Sequence, residues 1–412
     1  MSGVVHVIGA GLAGLSCAVD LRRRGSAVSL HEAAPHAGGR CRSFFDRRLD
    51  HVIDNGSHLL LSANRSVLDY AQHIGGAGAL VEVAAEFPFI DIADGTRWTV
   101  RPGAGRVPWW LLLPGRRVPK TGLGDYLALL TPKAPTPSQT VAARWGQSPL
   151  YRRLIEPLST AILNTAPEDA SAALLRNVLS ETLGRGAARC RPILAPAGLG
   201  AALVDPAIAW LRRHGASVHM GNPLTRIKTH RGRVTALEFQ QRLHPLGQED
   251  AVVLALPPAV AHRLLPAIVP PLTTQPIVNA HYAIDLPDAP PLLGIVGGLA
   301  QWVFTRPGVM SVTVSQPGQS IETPADLLAR TLWRDVCVAL ALGEKEMPPC
   351  RIIKERRATL AHSPDQEAAR PGPRTPFANL WLAGDWTDTG LPCTLEGAVQ
   401  SGRRAAALAA GA

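Results

Sequence analysis

"VVHVIGAGLAGLSCAVDLRRRGSAVSLHE", residues 4–32, decides how the chain is read. Residues 4–8 are mostly β-branched, the composition of a short buried strand, and a glycine-rich turn follows at once. Residues 12–24 carry the apolar spacing of a helix, Gly25 ends it, and 27–30 form a second strand that runs to Glu32. In this order the three glycines take separate tasks. Gly9 permits a tight turn, Gly11 lets a pyrophosphate approach backbone N–H groups, and Gly14 lets the helix lie close to the strand. The helix amino terminus then faces the phosphates. Glu32 is placed to accept hydrogen bonds from an adenosine ribose, and a carboxylate there favours FAD or NAD over NADP.

A second glycine turn follows in "EAAPHAGGRCRSF", residues 32–44, where Gly38 and Gly39 precede Arg40 and Arg42. A guanidinium beside such a turn pairs with phosphate oxygens; the plainer reading is a surface loop with solvated arginines. The chain closes on "LAGDWTDTGLPCTLEGAVQSGRRAA", residues 382–406. Thr394 suits a helix N-cap there. Gly397 and Gly402 each cost about 1 kcal/mol of helix propensity, so a close approach to a cofactor or to the first helix is the expected compensation. The amino terminus of that helix would stabilise negative charge on a reduced flavin.

These words, with "DNGSHLLL" at 54–61, resemble the FAD-dependent amine oxidase and phytoene desaturase superfamily. Within it, residues 54–75 and 384–402 are similar to the hydroxysqualene dehydroxylases. The resemblance implies an α/β fold, a Rossmann-like FAD-binding domain with an interleaved α+β substrate domain. It places FAD against Gly9, Gly11, Gly14, Glu32, Gly39, Arg40, Gly384, Asp385, Gly397 and Ala398, with Glu396 in the same motif. It also implies a long apolar isoprenoid substrate, and reductive loss of an allylic hydroxyl as hydride is delivered. Asp54, His58, Asp388 and Glu396 are the polar candidates for the proton work. Asp54 reads equally as a turn residue, His58 as a core histidine bonded to a carbonyl, and Glu396 as a positioner of helix or flavin; Asp385 reads better as a positioner than as an acid.

At 412 residues the chain is long enough for two or three domains, and 46% hydrophobic against 18% charged residues fits a globular protein. We divide it as FAD-binding segments 1–60, 198–270 and 375–412, with substrate segments 61–197 (mainly helical) and 271–374. Residues 198–227 repeat a helix-then-strand pattern, in which Val218 would meet the adenine end of the cofactor. Strands are expected at 234–239 and 251–256, strand-like runs at 301–305 and 311–315, and a helix at 325–342. Proline-rich stretches at 132–137, 266–276 and 287–291 read as turns, and 364–376 as a solvent-exposed loop.

The net charge of +10 admits nucleic acid, an acidic membrane or a polyanion. No arginine-rich arm or aromatic-and-basic repeat supports nucleic acid. Six scattered cysteines offer neither metal spacing nor a disulfide framework, so a cytoplasmic setting is expected and no metal. The amino-terminal stretch lacks the basic flank of a signal peptide. Residues 106–120, "RVPWWLLLPGRRVPK", set Trp109 and Trp110 among leucines, with Arg106, Arg116, Arg117 and Lys120 around them. That suits peripheral contact with a membrane, or an ordinary element whose apolar side packs inward. No second dinucleotide fingerprint is present, so a reductive reaction would need free reduced flavin or a reductase protein as donor. An isoprenoid desaturase or oxidase, with the opposite electron flow, and a nonredox protein that binds a lipid-bearing partner are the other classes left open.

Overall fold

A computed structural model of the chain describes residues 3–105, 107–130, 134–240 and 242–411. Arg106 and residues 131–133, on which a basic flank and a proline turn were expected, lie outside them. Two large sheets organise the molecule. The first is a parallel sheet of five strands in the order Ser217–His219, Ala27–His31, Val4–Ile8, Ala251–Leu254, Leu380–Leu382. Its strands come from three distant parts of the chain. Val7, Leu30, Val253 and Trp381 belong to the core that it forms with the helices Leu12–Arg23, Arg65–Ile74, Asp205–Arg213 and Leu395–Ala409. Ile8, Val252, Leu254 and Leu382 share another core with a three-stranded antiparallel sheet over residues 224–245. Cover on both faces favours apolar residues, which fill most positions of these strands, while His6, Ser29 and His31 are buried polar exceptions.

The second sheet has seven strands, in the order Cys350–Leu360, Thr274–Ala283, Val309–Ser315, Trp302–Arg306, Leu292–Val296, Phe87–Asp91, Thr96–Val100. Alternation splits its side chains between two cores. Val278, Ala280, Tyr282, Met310 and Val312 pack with the helix Ala325–Leu340, through Leu328, Leu332, Trp333 and Val336. Phe89, Trp98, Leu292 and Trp302 pack with the helices Glu156–Leu163 and Ala172–Glu181. Between these apolar patches, Asn279, His281, Ser311 and Thr313 form a buried polar seam. The Asn279 carboxamide oxygen accepts from the Ser57 N–H at 3.3 Å and from the Thr313 hydroxyl at 2.9 Å. The "DNGSH" stretch is thereby fastened to the substrate-side sheet.

Three expectations change. Residues 61–197 are not mainly helical throughout, because the hairpin of Phe87–Asp91 and Thr96–Val100 joins the seven-stranded sheet. The proline stretch 266–276 runs into a strand at Thr274; Pro276 is tolerated because the register shifts between Gln275 and Ile277. Residues 364–376 are more than an exposed loop, since Pro364–Ala368 is a short helix capped by the Ser363 hydroxyl and Arg370 is buried.

Candidate functional site

The two ends of the chain meet at the parallel sheet. A methyl group at Gly402 would collide with Ser16 and the Ala13 carbonyl of the first helix, so bare backbone is what lets the last helix lie against it. Gly14 is equally constrained, as a methyl there would strike the Gly9 carbonyl. Gly9 itself takes φ +105°, a conformation open to glycine. Both spacing arguments from the sequence therefore have a steric counterpart. A methyl group at Gly397 would meet its own approach loop, chiefly the Pro392 carbonyl at 3.0 Å, rather than the first helix.

Gly11 is different. A methyl group there would meet no protein atom within 4 Å, and no side chain caps the first helix at that end. Its first-turn N–H groups thus face open space at the positive end of a helix. The second glycine turn closes against the first: the Gly38 N–H donates to the Ala10 carbonyl at 2.8 Å, and Gly39 lies beside Gly11. The Glu32 carboxylate accepts from the Ala10 N–H at 2.7 Å and the Ala34 N–H at 2.8 Å, which keeps it beside the turn with lone pairs to spare. Val218 pairs with Leu30 on the neighbouring strand, and the Glu32 N–H donates to the His219 carbonyl at 2.8 Å. An adenosine, a pyrophosphate and their counter-charges fit this arrangement.

Arg40 reaches from the second turn to the C-terminal segment. Its guanidinium donates to the Asp385 carboxylate at 2.7 Å and to the Ala358 carbonyl. Burial opposes the Arg40 charge, and Asp385 more than offsets it, so the pKa is raised. Gly384 and Asp385 follow the strand Leu380–Leu382; the Gly384 N–H donates to the Ser401 hydroxyl at 3.0 Å. Thr394 caps the last helix as expected, accepting from the Gly397 N–H at 3.1 Å, with Ala398 one residue on.

Of the four polar candidates, His58 and Asp388 are exposed, and His58 alone has a ring nitrogen left without a protein partner. His58 is solvent-exposed, yet protein encloses it closely enough for burial to lower its pKa, so it lines a crevice. The Gly56 hydrogen bond, Asp54 and Asp385 oppose that shift, while Arg40 adds to it. Its Nδ1 lies 2.7 Å from the Gly56 carbonyl oxygen, which can only accept; the proton sits on Nδ1, and Nε2 is left with a lone pair.

The other three are occupied elsewhere. Asp54 accepts from the Ser43 hydroxyl and the Leu199 N–H (2.9 Å) and pairs with Arg306 at 3.9 Å, tying three segments together. Both Glu396 oxygens accept from the first turn of another helix, Ser66 N–H and Val67 N–H at 3.1 Å each. That is the positioning reading, directed at the helix Arg65–Ile74. Asp388 is exposed and folds back on the Gly390 N–H at 3.2 Å. Sequence reasoning overlooked Arg370, Glu367 and His362, which lie behind Asp385 and Cys393; no periodicity marks them.

The tryptophan-rich stretch divides between its two readings. Leu111 is buried and Trp110 meets the Tyr126 ring edge-on at 6.4 Å, whereas Trp109, Leu112 and Leu113 are 47%, 65% and 46% exposed. The Arg116 guanidinium stands over the Trp109 ring at 5.7 Å. Among the described residues no helix is long and apolar enough to cross a membrane. A separate cavity of about 520 Å³ is lined by Glu82, Glu86, Arg101, Arg116 and Arg191. Its Arg101–Glu86 and Arg191–Glu82 ion pairs make it unsuited to a hydrocarbon, and His58 is not among its lining residues.

The model of the flavin containing amine oxidoreductase family matches residues 12–292 and 322–410. Hydroxysqualene dehydroxylase from Rhodopseudomonas palustris is 46% identical over 99% of this chain and 98% of its own length. The protein of the same name from Sinorhizobium fredii is 46% identical, over 98% of each chain. Among solved structures, a putative protoporphyrinogen oxidase from Exiguobacterium superposes with a TM-score of 0.72 at 18% identity, covering 99% of this chain and 98% of that one.

Proposed function

The chain belongs to the flavin containing amine oxidoreductase family, alongside the hydroxysqualene dehydroxylases, and we propose that it converts hydroxysqualene to squalene. It is an FAD-dependent oxidoreductase. The observation that carries the choice of substrate is the 46% identity to hydroxysqualene dehydroxylases along essentially the whole chain. Held in its reduced form, FAD would supply the hydride for the allylic carbon whose C–O bond breaks, with one proton carrying the departing oxygen away as water.

The chain's own residues bind, orient and exclude. Gly11 and the first-turn N–H groups take the pyrophosphate, Glu32 the ribose, and Arg40 braces the second turn against Asp385. His58 lines the crevice with Nε2 as an acceptor, and we assign it the task of orienting the substrate hydroxyl. A neutral imidazole in that tautomer does not donate from Nε2, so His58 is not the source of the leaving-group proton. Leu59, Leu61, Leu158, Ile162 and Phe304 are apolar and only partly buried against one core, a surface that suits a long isoprenoid. Trp109, Leu112 and Leu113, with Arg116 beside them, make contact with the cytoplasmic membrane surface, where such a substrate dissolves. A reductase protein or free reduced flavin supplies the electrons.

Anaerobic photoreduction followed by detergent-solubilised hydroxysqualene tests the reaction. Squalene should form as the flavin absorption returns; a desaturase would not reoxidise this way, and absent turnover would defeat the assignment. A preparation that neither holds nor regains a flavin spectrum would favour a nonredox lipid-binding role. Replacing Trp109 and Leu112 by serine should release the protein from liposomes, and undiminished binding would count against membrane contact.

A further inference from the structure

We propose that Arg370 is a positioning residue for the cofactor site, setting the backbone of residues 385–394 through a clamp that Glu367 and His362 complete; this rests on the FAD reading above. That backbone carries Asp385, the partner of Arg40, and Thr394, the cap of the last helix. It has no strand or helix of its own to satisfy its carbonyls. The Arg370 guanidinium takes four of them: Asp385 at 2.7 Å, Trp386 at 3.3 Å, Thr387 at 2.6 Å and Leu391 at 2.7 Å. Its remaining N–H donates to Glu367 at 2.8 Å. An arginine has five N–H donors in a fixed plane, and here each one has an acceptor.

The clamp continues past the guanidinium. The other Glu367 oxygen lies 2.5 Å from His362 Nδ1, and the Cys393 N–H donates to His362 Nε2 at 2.9 Å. Since a backbone N–H can only donate, the His362 proton is on Nδ1, directed at Glu367. Burial works against the Glu367 charge, but hydrogen bonds from His362 and attraction from Arg370 prevail and lower its pKa. Both ends of residues 385–394 are thus gripped by one buried assembly. The His362 backbone also faces the substrate helices: its N–H donates to the Thr165 hydroxyl at 2.8 Å, and its carbonyl accepts from the Ser171 N–H at 2.8 Å. A buried guanidinium is costly unless its pairing is complete, and the completeness here is spent on a segment adjoining the crevice.

Arg370→Lys tests this in the full chain, because lysine keeps the charge but has three donors and no plane. We expect faster amide exchange in residues 385–398 of the FAD-free protein. FAD affinity should fall by at least roughly tenfold, and the midpoint potential of the bound flavin should shift. Glu367→Gln should do the same to a smaller degree, and stands in if the lysine variant does not fold. Unchanged exchange overturns the clamp. Faster exchange with wild-type FAD affinity and potential overturns its bearing on the cofactor. A wild-type chain that takes up no FAD defeats the functional reading instead, and the exchange measurement still decides whether Arg370 sets this segment.

Discussion

A methyl group at Gly11 meets nothing, whereas one at Gly14 runs into the Gly9 carbonyl; two glycines of one motif are therefore kept for opposite reasons. Gly11→Leu should abolish FAD uptake while leaving the unfolding free energy of the FAD-free protein within about 0.5 kcal/mol of wild type. Gly14→Ala should lower that free energy itself, by about 1–3 kcal/mol of overpacking. Glu32→Ala should weaken FAD moderately, measured by titration of the apoprotein, and wild-type affinity in both Gly11→Leu and Glu32→Ala would refute the site. At this scale the glycines were legible, because the requirement for bare backbone follows from local geometry and spacing. The carboxylates were not. Asp54, Asp388 and Glu396 look alike in the sequence, and only their neighbours, Leu199, Gly390 and Ser66, decide what each one does.

Among the elements, the last helix acts as a cap for another one. Glu396 supplies to the helix Arg65–Ile74 the acceptors that its own Asn64 side chain does not. Glu396→Ala should cost about 1–2 kcal/mol in denaturant unfolding, and as a positioner it should leave the pH profile of turnover unmoved. A second consequence concerns the face of the parallel sheet. His31 stacks on Phe239 at 4.5 Å and on His219 at 4.8 Å, and its Nε2 lies 3.4 Å from His6, which meets His244 edge-on at 4.9 Å. Burial first, then the neighbouring histidines, pull His6 down to about 4 and His31 to about 3; Asp250 pulls His6 the other way. Both folded-state values lie below the ordinary imidazole pKa of 6.5, so the unfolded chain binds more protons as the pH drops below it. Stability should accordingly be full above about 6.5 and fall towards pH 4, with a slope of up to roughly 1.4 kcal/mol per pH unit for each histidine. His31→Asn should flatten that slope in pH-dependent urea unfolding, and an unchanged slope would assign it to other groups.

Over the whole molecule, strands and helices far apart in the chain become neighbours because each has an apolar face and only one partner fits it. Gly402→Leu should drive the last helix off the first, costing about 3 kcal/mol and releasing FAD together with it, as circular dichroism and flavin fluorescence would register at one midpoint. The first strand, turn, helix and strand and the capping Thr394 were readable from sequence alone, since each depends on residues within a few positions of one another, and the family resemblance was readable as a set of such local words. The hairpin at 87–100 was hidden in a helical neighbourhood because its partner strand, Leu292–Val296, lies two hundred residues away. The segment 364–376 looked solvent-exposed because its composition is polar, yet Arg370 is buried by carbonyls that the sequence cannot show to be near. By itself, then, the sequence determined the two glycine turns and the class of chemistry, because local backbone geometry demands particular residue types. Only the tertiary structure decided which polar candidate is left with a free lone pair and which ones hold the frame, because a polar group takes its role from partners brought to it through space.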